Sequence, residues 1–150
     1  MKALLLVISS GLGTGYLPFA PGTWGTLVAA LVYWFILPDN ALLISLTALL
    51  LIIISVIVSG AAEKIYGVID DSRIVIDEWA GYFVSVLFLP HTLRYAISAF
   101  VLFRIFDVFK PLGIRTLQSL PGGWGVTIDD IAAGVATNLL LQSLRFGVGR

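Results

Sequence analysis

Between the turn signal Pro38-Asp39-Asn40 and Gly60, the chain runs from Ala41 to Ser59, about nineteen residues, without a charge, close to the roughly twenty that a helix needs to cross a bilayer. In lipid only a helix or a closed barrel satisfies every backbone polar group. The stretch therefore predicts a transmembrane helix and sets the class of its surroundings. Composition agrees, since 59% of the 150 residues are hydrophobic, against about 45–50% in an ordinary soluble domain. Nine acids balance nine bases, which argues against a nucleic-acid partner. The absence of cysteine excludes disulfide and thiol chemistry. The length is that of one domain, 1–150. Lys2 precedes a short apolar run, ALLLVIS, but GLGTGYLPFAPG after it offers no small-residue cleavage site, so this end reads as mature chain.

Residues 11–22, rich in Gly and Pro, predict an irregular loop. GTWG at 22–25 opens an apolar helix to about Leu37. Thr23 stands where a helix cap would, and a helix start turns N–H groups toward an anion, although an ordinary cap is the plainer reading. The turn at 38–40 makes this helix an antiparallel neighbour of the next. From Ala61 to Ser72 the chain turns polar. Lys64 reads as a solvated helix end, Glu63 lies within reach of a metal, and Asp70-Asp71 marks a loop.

Two places then look alike. IDEWAG at 76–81 and IDDIAAG at 128–134 each set adjacent carboxylates ahead of an apolar helix. One pair is explained by the helix dipole. Two, in a chain of nine acids, point to a shared metal centre. The helix 95–110 carries VLFRIFDVFKP, where Arg104, Asp107 and Lys110 recur every three residues in an apolar run. They form either a self-satisfied ion-pair set or a grip on an anion and a metal. His91, in the turn at 90–92, reads as an ordinary surface residue. Residues 112–127 read as a loop or partial short helix broken at Pro121-Gly122-Gly123, and the last helix as 131–144.

The two hairpins send the turns at 38–40 and 90–92 to one side and every polar motif to the other. Lys64, Arg73, Arg104, Lys110 and Arg115 share that second side, which the positive-inside tendency makes cytoplasmic, while Arg145 and Arg150 fall opposite. The segments 79–90 and 131–144 are short for a full crossing. The expected architecture is all-α, a membrane-embedded bundle of about five apolar helices with short or partial crossings and a polar site at the cytoplasmic end.

PGTWGT at 21–26, Asp70 with Asp77, Glu78 and Gly81 in a D-x(6)-DE-x-x-G pattern, FRIFDVFKP at 103–111 and GGWGVTIDDIAAG at 122–134 together resemble the phosphatidylglycerophosphatase A family. The resemblance implies a Mg²⁺-dependent enzyme of the bacterial inner membrane that removes the terminal phosphate of phosphatidylglycerophosphate. It implies metal ligands among Asp77, Glu78, Asp107, Asp129 and Asp130, and a phosphate held by Arg104 and Lys110 with Gly22, Thr23, Trp24 and Gly25. Asp107, Asp130, Arg104 and Lys110 are the expected catalytic set, acting on a metal-activated water in preference to an aspartyl-phosphate. A small transporter, or a soluble all-α phosphatase of other specificity, are the rival readings.

Overall fold

The computed structural model describes residues 2–110 and 122–148, which form helices joined by turns and loops, with no strand among them. In chain order they form α1 (Lys2–Ser9), a 3₁₀ turn (Thr14–Tyr16), α2 (Pro21–Phe35), α3 (Ala41–Tyr66), α4 (Ile76–Ser85), α5 (Leu93–Phe109) and α6 (Gly123–Val148). The all-α expectation stands, with six α-helices among the described residues rather than about five. The addition is α1, built from the short run after Lys2.

Helix α3 begins where Asn40 caps it, its side chain accepting the Leu43 N–H at 3.0 Å. It ends 26 residues later at Gly67, whose φ of 71° closes the helix through its N–H to the Glu63 carbonyl. That is about 39 Å of helix, longer than the apolar run alone. Its mean hydropathy is 3.1 over its most apolar window, and it is the one described helix long and apolar enough to cross a membrane. Leu42, Leu46, Leu50, Ile53 and Ile57 face outward from it, and Ile97, Val101, Ile105 and Val108 are likewise exposed on α5.

Helix α4 is the opposite case. It covers only ten residues, starting at Ile76 instead of 79 and stopping at Ser85, and every residue but Glu78 is buried. It packs against α2, α3, α5 and α6. Gly81 and Gly134 let α4 and α6 cross closely, because a side chain at either position would run into the opposite backbone. The chain end of α4 is closed by α6: Asn138 donates to the Ser85 and Leu87 carbonyls at 3.1 and 2.8 Å, and Gln142 to Leu87 at 3.3 Å. Carbonyls left bare in such a core would each be costly.

Three boundaries differ from expectation for physical reasons. Helix α2 starts at Pro21, whose missing N–H and fixed φ suit a first helical position, with Ala20 as the cap residue at φ 49°. Thr23 is therefore not the cap, and its N–H and that of Trp24 bond to the Ala20 carbonyl at 2.9 and 3.3 Å. Helix α6 starts at Gly123, not 131, so it spans 26 residues and is not a short segment. Its glycine-rich first turns are held by packing, with Gly123 against the Val56 backbone and Thr127 bonded to Ser55 at 2.7 Å, which outweighs weak helix propensity. His91 lies away from the carboxylates but is no free surface residue: it stacks on Trp34 at 5.3 Å and donates to the Tyr33 carbonyl at 3.1 Å. Of the loop or partial short helix expected over 112–127, residues 112–121, with Arg115, lie outside the described residues, as does Arg150, and 123–127 belong to α6.

Candidate active site

Four helices and one loop bring their polar ends together. The first turn of α4 supplies Asp77 and Glu78, the last turns of α5 supply Arg104 and Asp107, and Lys110 caps α5 at φ 43°. Asp129 and Asp130 come from the second turn of α6, and Ala20 to Gly22 from the start of α2. Asp70 and Ser72 enter from the loop between α3 and α4. Together these residues line a cavity of about 200 Å³ holding six carboxylates and two cations.

Five of these carboxylates, all carried by helices, divide into two groups. Asp107 and Asp129 have cations: Arg104 Nη1 donates to Asp107 Oδ2 at 2.6 Å, and Lys110 Nζ bonds to Asp129 Oδ2 while lying 3.9 Å from Asp107. Asp77, Glu78 and Asp130 form a trio whose ligand atoms all lie within 4.8 Å of one another. Arg104 reaches Glu78 only at 3.6 Å. Among the described residues, Asp77 Oδ1, Glu78 Oε2, Asp129 Oδ1, Asp130 Oδ2 and Arg104 Nε are buried without a hydrogen-bond partner. Buried polar atoms in folded proteins nearly always have one.

Protonation follows from this crowding. Burial pushes Asp77 well above the ordinary carboxylate range, and the neighbouring Glu78 adds to it. Asp130 is raised by burial and then by Asp107 and Asp77. Glu78 is pushed up to about 7 by burial and by Asp107, against the pull of the Asp77 hydrogen bond and Arg104. Burial also raises Asp129, with Lys110 opposing. Burial disfavours charge on Lys110, but its bond to Asp129 and the other carboxylates outweigh that and hold its pKa up. A multivalent cation would replace protons retained on Asp77, Glu78 and Asp130 and take the orphaned oxygens of that trio as ligands. The trio is an oxygen-only donor set, suited to a hard cation such as Mg²⁺ and not to a thiolate- or imidazole-seeking metal.

Of the residues singled out in the sequence, Gly22, Asp77, Glu78, Arg104, Asp107, Lys110, Asp129 and Asp130 line the cavity. Thr23, Trp24 and Gly25 do not. Trp24 is exposed and donates its indole N–H to the Phe19 carbonyl at 3.1 Å, and Gly25 packs on Val75. Glu63 lies outside the lining as well, its carboxylate accepting the Asp70 N–H at 2.9 Å and so supporting the loop that carries Asp70 inward at φ 52°. Beside it Arg73 grips Asp71 through two bonds of 2.7 and 2.8 Å, which lowers the Asp71 pKa, and lies over the Tyr66 ring. Ser72 and Ile74 at the wall carry no signal in the sequence, whereas Asp70 is marked by its spacing from Asp77.

Residues 7–145 match the family model of Phosphatidylglycerophosphatase A. A Bacteroides thetaiotaomicron protein provisionally named a phosphatidylinositol-3-phosphatase is 41% identical, covering 97% of this chain and 96% of its own length. The Escherichia coli protein named Phosphatidylglycerophosphatase A is 39% identical over 86% of this chain and 76% of its own. The Haemophilus influenzae protein of the same name is 31% identical, with 93% and 88% covered. No solved structure matches the chain significantly.

Proposed function

The chain belongs to the phosphatidylglycerophosphatase A family, and from that premise we propose that it hydrolyses the terminal phosphomonoester of phosphatidylglycerophosphate to phosphatidylglycerol and inorganic phosphate, using Mg²⁺. The observation that carries this reading is the trio of carboxylates, each with one buried oxygen lacking a hydrogen-bond partner, sharing one cavity with Arg104 and Lys110. Asp77, Glu78 and Asp130 would hold the ion. Once bound, Mg²⁺ supplies neutralisation of phosphoryl charge and a water of lowered pKa.

The chain's own groups do the rest. Arg104 has a buried Nε with no described partner, so a phosphate oxygen can take that donor without breaking its bond to Asp107. Lys110, steadied by Asp129, lies on the same wall and adds a second positive charge where negative charge builds on the phosphoryl oxygens. Asp107 holds Arg104 in place and sets its orientation. In-line attack by water forms the new P–O bond, and the lipid glycerol oxygen leaves with a proton.

The apolar exterior supports a membrane setting, because exposed Leu, Ile and Val on α3 and α5 far exceed the isolated apolar residues of soluble surfaces. The site then sits at one end of the bundle, where a lipid headgroup lies. Lys64, Arg73, Arg104 and Lys110 at that end favour the cytoplasmic face of the bacterial inner membrane.

The test is phosphate release by the purified protein in mixed micelles. Phosphatidylglycerophosphate, phosphatidylinositol-3-phosphate and a water-soluble phosphomonoester are compared, with Mg²⁺ and with chelator. Release from the first substrate that stops on chelation is expected; a helical, monodisperse protein that releases none overturns the reading.

A further inference from the structure

A second cavity, of about 330 Å³, lies along the seam between α2 and α5. Leu27, Leu31 and Trp34 line it from α2, and Ala96, Ile97 and Phe100 from α5, with no charged residue in its wall. Its lip is open, since Leu31 is 45% and Ile97 54% exposed. The same two helices make part of the polar cavity. At that end of the seam Arg104 Nη1 comes within 3.2 Å of where a Cβ on Gly22 would stand. Phe100 precedes Arg104 by four residues, roughly 6 Å, and Leu27 follows Gly22 by five, roughly 7.5 Å. One seam therefore passes from the guanidinium to a wholly apolar channel about 12 Å long on α2.

We propose that this groove is the acyl-chain subsite for the phosphatidyl substrate: one fatty chain lies along the α2–α5 seam while the phosphate head occupies the carboxylate cavity. The assignment rests on the lipid-phosphomonoester reading above and adds how the lipid is oriented and selected. Continuity with the cation that grips the phosphate distinguishes this groove from lipid contacts elsewhere on the apolar exterior. An amphiphile with a charged head and an apolar tail matches the two halves of the seam in order. Each buried methylene contributes, so affinity for substrate grows with chain length until the groove is filled.

The test measures KM for dioleoyl and dihexanoyl phosphatidylglycerophosphate. Ala30 also lines the groove from α2, and Ala30→Trp, which fills it, should erase about tenfold of the preference for the long-chain lipid. Leu31→Ala, which strips its lip, should act in the same direction more weakly. Leu46→Trp, on the outward face of α3, should leave the ratio unchanged. Fluorescence gives an independent reading: a substrate brominated in its chain, added to chelated protein, should quench Trp34, identified by comparison with Trp34→Phe. Unbrominated phosphatidylglycerophosphate should relieve that quenching and phosphatidylcholine should not. An unchanged KM ratio in both groove variants while the wild type turns over the lipid overturns the groove alone. Equal relief by phosphatidylcholine, or a change of oligomeric state in Ala30→Trp, overturns it in favour of bulk lipid or a second copy. Phosphate release from neither lipid by the wild type overturns the substrate reading and the groove with it.

Discussion

The two acidic pairs, Asp77-Glu78 and Asp129-Asp130, look alike in sequence and differ in use. The first lies in the opening turn of α4, and both members join the carboxylate trio. The second lies inside α6, where consecutive side chains diverge by about 100°. Asp130 joins the trio, and Asp129 turns to Lys110. Adjacent acids thus divide into one that joins the candidate metal ligands and one that holds a lysine. The lesson is that a doubled motif reports a site but not the task of each member.

The sharpest way to break this contrast is to neutralise the two members of the α6 pair separately. Asp130→Asn should lower kcat for lipid phosphate release by about 10²–10³-fold, the scale of losing a central electrostatic group. Loss of less than tenfold would remove Asp130 from the metal group.

The next effect is on stability and has a definite sign. Groups whose folded pKa lies above the unfolded value bind more protons when folded, so stability falls as pH rises between the two values. Glu78, at about 7 in the fold, and the raised Asp77 and Asp130 should make chelated protein less stable between about pH 4.5 and 7, by a few kcal/mol in all. Mg²⁺ should reverse the trend. Thermal unfolding scanned against pH, with and without Mg²⁺, checks this; a metal-free protein that gains stability over that range would contradict it.

Asp129→Asn should be milder, about 10–100-fold in kcat/KM, as for a group that orients another. Its effect should appear mainly in KM, with metal affinity kept, read by Mg²⁺ titration of activity. Smaller still is Glu63→Ala, which frees the loop bearing Asp70 and should raise KM about twofold to fivefold, the scale of one hydrogen bond.

Much of this was legible in the chain. The charge-free run, the Pro and Asn turns and the apolar helices give the hairpins, and the hairpins gather the polar motifs at one end. The start of α6 was not legible, because GWGVT has poor local helix propensity and is helical only through contacts such as Thr127 with Ser55. Thr23 stands in a cap's place in the sequence, but Pro21 moves the helix start ahead of it. The split between Asp129 and Asp130 depends on which way a mid-helix side chain faces, and adjacency in sequence hides that. Glu63 showed its charge, but not that its partner is a backbone N–H seven residues on.

The ten-residue, wholly enclosed α4 also has a consequence for biogenesis. It is too short to be released into lipid as a span of its own, and the Ser85 and Leu87 carbonyls at its end accept from Asn138 and Gln142, which are synthesised about fifty residues later. Helices α2 and α3 offer the segment a partial home, and its enclosure is complete only when α6 has left the ribosome. Two of the three trio carboxylates travel on it and the third, Asp130, lies on α6, so the carboxylate cavity is complete only once the final helix is in place.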